Sequence, residues 1–225
     1  GDGNVAVGTE ALDANTTGAS NVAVGKGALG VNVAGINNVA VGTGAMDAIG
    51  PSSGGNYNVA VGMDCMGAST TGTYNTAIGY KAMYTSTTAD YNTVVGYLAG
   101  GSSGTFTGNG NVMVGHNSGA SMTSAIGTVS VGQYALDALT SGQYNTALGM
   151  SALSDLTTQH WNTAIGYNTL NDCIGNSNTA VGYNAGTDIT VGIENVCVGH
   201  SAGLAMSDAS QNVCMGKSAG GNLTT

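Results

Sequence analysis

Basic residues are almost missing from this chain. Lys and Arg together number 3 among 225 residues, against 12 Asp and Glu, for a formal net charge of −9. Three cations cannot neutralise many phosphates, so nucleic-acid binding by counterion release is excluded. Attraction to an anionic membrane surface is excluded on the same ground. No run approaches the roughly 18 consecutive apolar residues of a spanning helix, so no direct membrane insertion is expected. Proline, phenylalanine and tryptophan occur once each. Charged residues make up 7%, where a soluble globular domain carries about 25%. What replaces them is small: Gly fills 39 positions, more than twice its share of about 7% in ordinary proteins. With 42% apolar residues and so little charge, disorder is not expected either.

The excess of glycine is periodic. The unit is Asn, any residue, a small residue, an aliphatic residue and Gly, then two free positions, Ala, and Leu, Met or Gly. It reads NVAVGTEAL from Asn4, NTAIGYKAM from Asn75, NTALGMSAL from Asn145 and NTAIGYNTL from Asn162. The anchoring glycines, Gly8 to Gly216 by way of Gly79 and Gly166, number thirteen, and most neighbours are 17 apart. A single copy, TVSVG from Thr128, lacks the leading Asn. Irregular spacings fall after the Ala-Leu/Met/Gly pair, as in GPSSGG at Gly50 to Gly55 and GGSSGT at Gly100 to Thr105. Insertions accumulate at exposed turns, so that segment is the loop of each unit. No linker or charge block divides the array, which reads as one repeat domain over residues 1–225. The chain starts and stops inside the pattern, as a fragment or processed part of a longer fibre would.

Seventeen residues rich in Gly and β-branched side chains are too few for a helix pair. Large and small residues alternate over the five motif positions, the signature of a strand with two unlike faces. The large face is expected to fill the core and the small face to let another layer approach. A second extended segment near the Ala-Leu/Met pair would complete a coil, and successive coils would stack as parallel strands. One such coil buries too little to be stable alone, so stacking is required. Even stacked, the core is meagre. An obligate homo-oligomer is therefore expected, with the Asn/Ala/Gly face as the seam. Recurrent Asn would form a stacked amide ladder. Recurrent Gly four residues later suggests a positive φ or a close backbone approach.

These units resemble the parallel β-roll repeat of trimeric autotransporter adhesin heads. They are closer still to the 17-residue NTAIGYNAL-type repeats of phage fibre and bacterial surface proteins, matched here by NTAIGYKAM at Asn75 and NTALGMSAL at Asn145. The resemblance covers essentially the whole chain. It implies an all-β, left-handed parallel β-roll of about 13 coils, assembled as a homotrimer with itself as principal partner.

Little chemistry punctuates the array. Cys197 and Cys214 share the small-residue slot of neighbouring coils. A disulfide, an approach to symmetry mates near a trimer axis, and simple replacement of Ala in a buried slot are the three readings. Cys65 and Cys173 complete the set, without the spacing of a metal site. His116 and His200 follow the anchoring Gly, where Tyr80, Tyr97, Tyr167 and Tyr183 stand in other copies. No recurring Ser, Cys or Asp would make a triad with them, so no catalytic residue, cofactor or metal is expected. Asp13, Asp47, Asp137, Asp155 and Asp172 recur at the start of the loop, as a solvated edge or as Ca²⁺-collecting oxygens. Thr pairs such as Thr16/Thr17 read as turn chemistry. Tyr57, Tyr74, Tyr91, Tyr144 and Trp161 stand immediately before the motif Asn. They are expected to stack as ladders, or to offer flat faces to sugar rings of a receptor.

The leading functional reading is a structural and adhesive fibre at a virion surface that presents loops for host attachment. The alternative setting is a trimeric adhesin head on a bacterial cell surface. Ice binding is a minor alternative, since it calls for an outward Thr-x-Thr array. An acyltransferase β-helix is disfavoured, because it needs about three hexapeptides per coil and this chain has one motif per 17 residues.

Overall fold

The computed structural model describes residues 1–49, 55–101, 103–221 and 223. The inserted turns expected at 50–55 and 100–105 fall partly on residues 50–54 and 102, outside the described set. The structure is all-β, with thirteen strands of three residues and no helix among the described residues. The backbone clusters into two compact units, Gly1–Met113 and Val114–Thr225. The first holds β1 Val5–Val7, β2 Val22–Val24, β3 Val39–Val41, β4 Val59–Val61, β5 Thr76–Ile78 and β6 Thr93–Val95. Strand β7, Val112–Val114, falls at the division. The second holds β8 Val129–Val131, β9 Thr146–Leu148, β10 Thr163–Ile165, β11 Thr179–Val181, β12 Val196–Val198 and β13 Val213–Met215.

Each unit is a parallel β-solenoid. In the first, middle residues pair in sequence order: Ala6 with Ala23, Ala23 with Ala40, Ala40 with Ala60, Ala60 with Ala77 and Ala77 with Val94. In the second, Ser130, Ala147, Ala164, Ala180, Cys197 and Cys214 form the same column. The strands keep this register where the loop is longer, at Ala40 and Ala60, and where it is shorter, at Ala164 and Ala180. Length variation is absorbed in the loops because the ladder is fixed at the motif.

Hydrogen bonds run from coil to coil well beyond the strands. Val22 N–H donates to Asn38 O at 2.8 Å, Gly27 to Thr9 at 2.9 Å, Leu29 to Ala45 at 3.0 Å and Thr16 to Val33 at 3.1 Å. The expected second extended segment is a succession of turns instead. Ala28 N–H bonds to Gly25 O at 3.3 Å and Gly30 N–H to Gly27 O at 3.1 Å. The second and fourth residues after the anchoring Gly are left-handed, as in Lys81 (φ 51°) and Met83 (φ 55°). Alternate left-handed residues curl the chain where a strand would run straight. Each costs about 1–2 kcal/mol for a non-glycine residue, so the stacked hydrogen bonds must hold it.

The strand faces are the reverse of the sequence expectation. The small middle residue points inward and is sealed: Ala23, Ala40, Ala77 and Ala147 have no exposed surface. The larger flanking residues point outward; Ile78 retains 40% exposure and Leu148 46%. The physical reason is width. The Leu or Met four residues after the anchoring Gly reaches inward from the opposite wall, and Leu29, Met46, Met83, Leu136 and Leu153 are fully buried. Together with loop residues such as Ile49, Phe106, Leu139 and Leu156, they leave the strand only enough room for Ala. The Ala and Asn residues expected to form an intermolecular seam are thus inside their own coils.

Interior volume is traded between the two walls. Where the middle strand residue is Val, Met or Cys, the inward Leu or Met is replaced by Gly: Val94 goes with Gly100, Met113 with Gly119, Cys197 with Gly203 and Cys214 with Gly220, while the smaller Ser130 keeps Leu136 and the coil of Ala180 has Gly186. A Cβ at Gly100 would lie 3.0 Å from Val94 Cγ1 and 3.1 Å from Met113 Cε. Close packing inside a narrow tube permits one large group per level, from one wall or the other.

Candidate functional site

The motif Asn is a clasp. Asn75 N–H and Nδ2 both donate to Asn58 Oδ1, at 2.9 and 3.1 Å, and Nδ2 also donates to Ala89 O at 2.7 Å. One amide thus ties its coil to the preceding one and closes its own coil across fourteen residues. Asn75 Oδ1 in turn accepts from Asn92 N–H at 3.0 Å. Asn4 begins this ladder by accepting from Asn21 N–H at 2.9 Å, and Asn162 continues one in the second unit by donating from its N–H to Asn145 Oδ1 at 2.9 Å. The anchoring glycines satisfy both conditions read from the sequence. Gly8, at φ 129°, would place a Cβ 2.7 Å from Gly25 O. Gly79 and Gly166, at φ 133° and 134°, meet the next coil's glycine carbonyl in the same way.

The residue before the Asn is left-handed and projects outward. Tyr57, Tyr74 and Tyr91 form the expected ladder: ring centroids are 5.0 and 5.2 Å apart and planes within 3° of parallel. Tyr144 and Trp161 do not stack on one another. Tyr144 leans over Gly127, where a Cβ would lie 2.8 Å from its Cδ1. Trp161, 60% exposed, tilts at 45° against His160. His160 is anchored because its Nδ1 accepts from Gln143 N–H at 2.9 Å, which places the imidazole beside the indole.

A second aromatic row occupies the position after the anchoring Gly. Tyr80 stacks on Tyr97 at 5.2 Å, Tyr167 on Tyr183 at 5.3 Å, and Tyr183 on His200 at 5.0 Å. His116 meets Tyr134 edge-on at 5.3 Å. The histidines are rungs of aromatic rows. The 17-residue recurrence of Tyr in this slot was the signal for that row, and it was available in the sequence.

The cysteines are free and buried. Cys197 pairs in register with Cys214, both point into the coil, and Cys214 Sγ lies 3.5 Å from Met206 Sδ. The thiols therefore replace Ala inside the chain. Being inside, they do not face a symmetry axis, and no disulfide joins them. Burial first, and the neighbouring Cys214 second, push the Cys197 thiol up to about 12. Burial likewise pushes Cys65 up to about 12 and Cys173 to about 11. Such thiols are protonated and unreactive at neutral pH.

The loop carboxylates line up in the second unit. Burial, then Asp155, raises Asp137; burial, then Asp155 and Asp188, raises Asp172. Among the described residues, no three His, Cys, Asp or Glu side chains come together to hold a metal ion. Loop threonines lace the coils: Thr70 Oγ1 donates to Thr87 O at 3.0 Å and Thr140 Oγ1 to Thr157 O at 3.0 Å.

In each unit the outward strand positions are uniform in composition. Their two rows hold only Val, Ile, Leu, Met and five Thr: Thr76, Thr93, Thr146, Thr163 and Thr179. Each Thr is followed two residues later by an aliphatic side chain, so the face lacks the Thr-x-Thr array of the ice-binding reading. Comparison with known protein families, characterised proteins and solved structures gave no match.

Proposed function

We propose that the chain is a structural and adhesive fibre protein of a virion, assembled as a homotrimer and presenting its loops and aromatic rows for host attachment. The observation that carries the reading is the outer strand face. Two rows of Val, Ile, Leu and Met, interrupted by five Thr and without one charged residue among the strands, stand outside the coil rather than in it. Monomeric soluble proteins rarely expose a contiguous apolar surface of this kind. Covering a half-exposed Val or Ile contributes roughly 1 kcal/mol, and at least one aliphatic side chain is available in each coil. A second copy of the chain fits this face well, because its rows repeat at the same spacing. Side-by-side chains running in one direction require a cyclic arrangement, and a single apolar face per coil turned to a common axis suits a three-fold one. The acidic loops then lie away from the axis and keep the assembly soluble.

The same assembly on a bacterial cell surface, as an adhesin head, is the other setting. Immunogold labelling with antibodies against this chain separates the two. Label on the fibres of virus particles is expected. Label on a bacterial envelope moves the assembly to the second setting, and label confined to the cell interior contradicts both.

A further inference from the structure

The Tyr57–Tyr74–Tyr91 ladder stops abruptly, and where it stops it leaves a sugar-sized place. In a stacked row each ring covers its neighbour's face, so only an end ring offers a free one. The next position in the row after Tyr91 is Gly110, whose N–H donates to Asp90 O at 3.1 Å, keeping the coil in register. A Cβ on Gly110 would meet nothing within 4 Å. Tyr91 is accordingly 64% exposed, against 46% for Tyr57 and 50% for Tyr74. The rung is vacant, and its floor is a glycine.

One polar side chain stands on the coil of Gly110, and its counterpart one coil back turns away. Asp90 reaches to the preceding coil, where its Oδ1 accepts from Thr73 N–H at 2.7 Å and from Thr73 Oγ1 at 2.9 Å. Asn109 Oδ1 accepts from Asp90 N–H at 2.7 Å, which fixes the amide and leaves the Nδ2 hydrogens to donate. An aromatic face with an amide donor on the next coil suits a hexopyranose. The sugar's C–H groups carry slight positive charge and pack on the negative π-face, while a hydroxyl oxygen accepts from the amide. A pyranose ring is thin enough to replace one aromatic rung at the 5 Å spacing of the row.

We propose that Tyr91 and Asn109, over Gly110, form a binding site for a hexopyranose unit of a glycan, the sugar taking the vacant rung. This names the class of ligand for the attachment role proposed above and rests on that role.

The test is saturation-transfer NMR on the full chain with methyl β-D-glucopyranoside, methyl β-D-galactopyranoside and the methyl glycoside of N-acetylglucosamine. At least one is expected to receive saturation, strongest at its ring C–H protons. Tyr91→Ala should weaken binding about tenfold or more. Gly110→Tyr should abolish it by filling the rung, and the fold accepts that change, since Tyr57, Tyr74 and Tyr144 hold the same slot at φ 56–57°. Asn109→Ala should weaken binding less than Tyr91→Ala, and Trp161→Ala should leave it unchanged. Transfer to none of the three glycosides, transfer that survives Gly110→Tyr, or transfer lost only with Trp161 would overturn the site. A trimer that binds no glycoside removes this site and leaves the fibre; a monomer that binds through Tyr91 does the reverse.

Discussion

Along each strand the inward residue is small and sealed; the outward ones are larger and more open. Ala77 has no exposed surface, while its neighbour Ile78 keeps 40%. In a free-standing globular domain the size order would be the other way round, because larger apolar side chains gain more from burial. The inversion leaves apolar area outside the coil. The interior sets spacing and register through Asn and Gly, and the outer face carries the apolar area that the proposed assembly would cover.

The largest expected effect comes from charging the outer face. Val41→Asp with Val61→Asp places two carboxylates in the middle of the first unit's apolar rows and should convert the assembly to monomers by sedimentation. An assembly that persists would break the comparison. A smaller effect follows from cutting the interior clasp. Asn75→Ala strands the buried Asn92 N–H and the Ala89 carbonyl, at a cost of about 3 kcal/mol read from denaturant unfolding. Next comes the volume rule. Gly100→Leu should cost about 2 kcal/mol by overpacking against Val94, and adding Val94→Ala should recover most of it, since Leu with Ala is the pairing of other coils. The smallest is electrostatic. The native state holds the Asp137 and Asp172 protons more tightly than the unfolded chain does, because their carboxyls are raised. The stability these groups contribute is therefore fully present below the unfolded pKa and lost as pH rises through the native value. Asp137→Asn should raise Tm at neutral pH, with the difference shrinking towards about pH 3.5.

Much of this was legible in the residues. The recurrence of Asn and Gly gave the register, the coil-to-coil amide ladder and the tight glycine contact. Tyr57, Tyr74 and Tyr91, one repeat apart, gave their own stacking. The orientation of the strands was not legible from alternation, because in Val-Ala-Val both faces are apolar. Period 2 then separates the faces without saying which is inside. The deciding fact is the inward Leu or Met from the opposite wall, and the exchange of Val94 with Gly100 or Cys197 with Gly203 recorded it in the sequence. The separation of Tyr144 from Trp161 was out of reach of spacing, since it depends on Gly127 and His160 as local partners.

Sedimentation equilibrium of the unmodified chain at micromolar concentration tests the central claim most directly. The account predicts a single species of three chain masses, with no folded monomer on dilution short of unfolding. A folded, stable monomer carrying its open Val and Ile rows in water would contradict it.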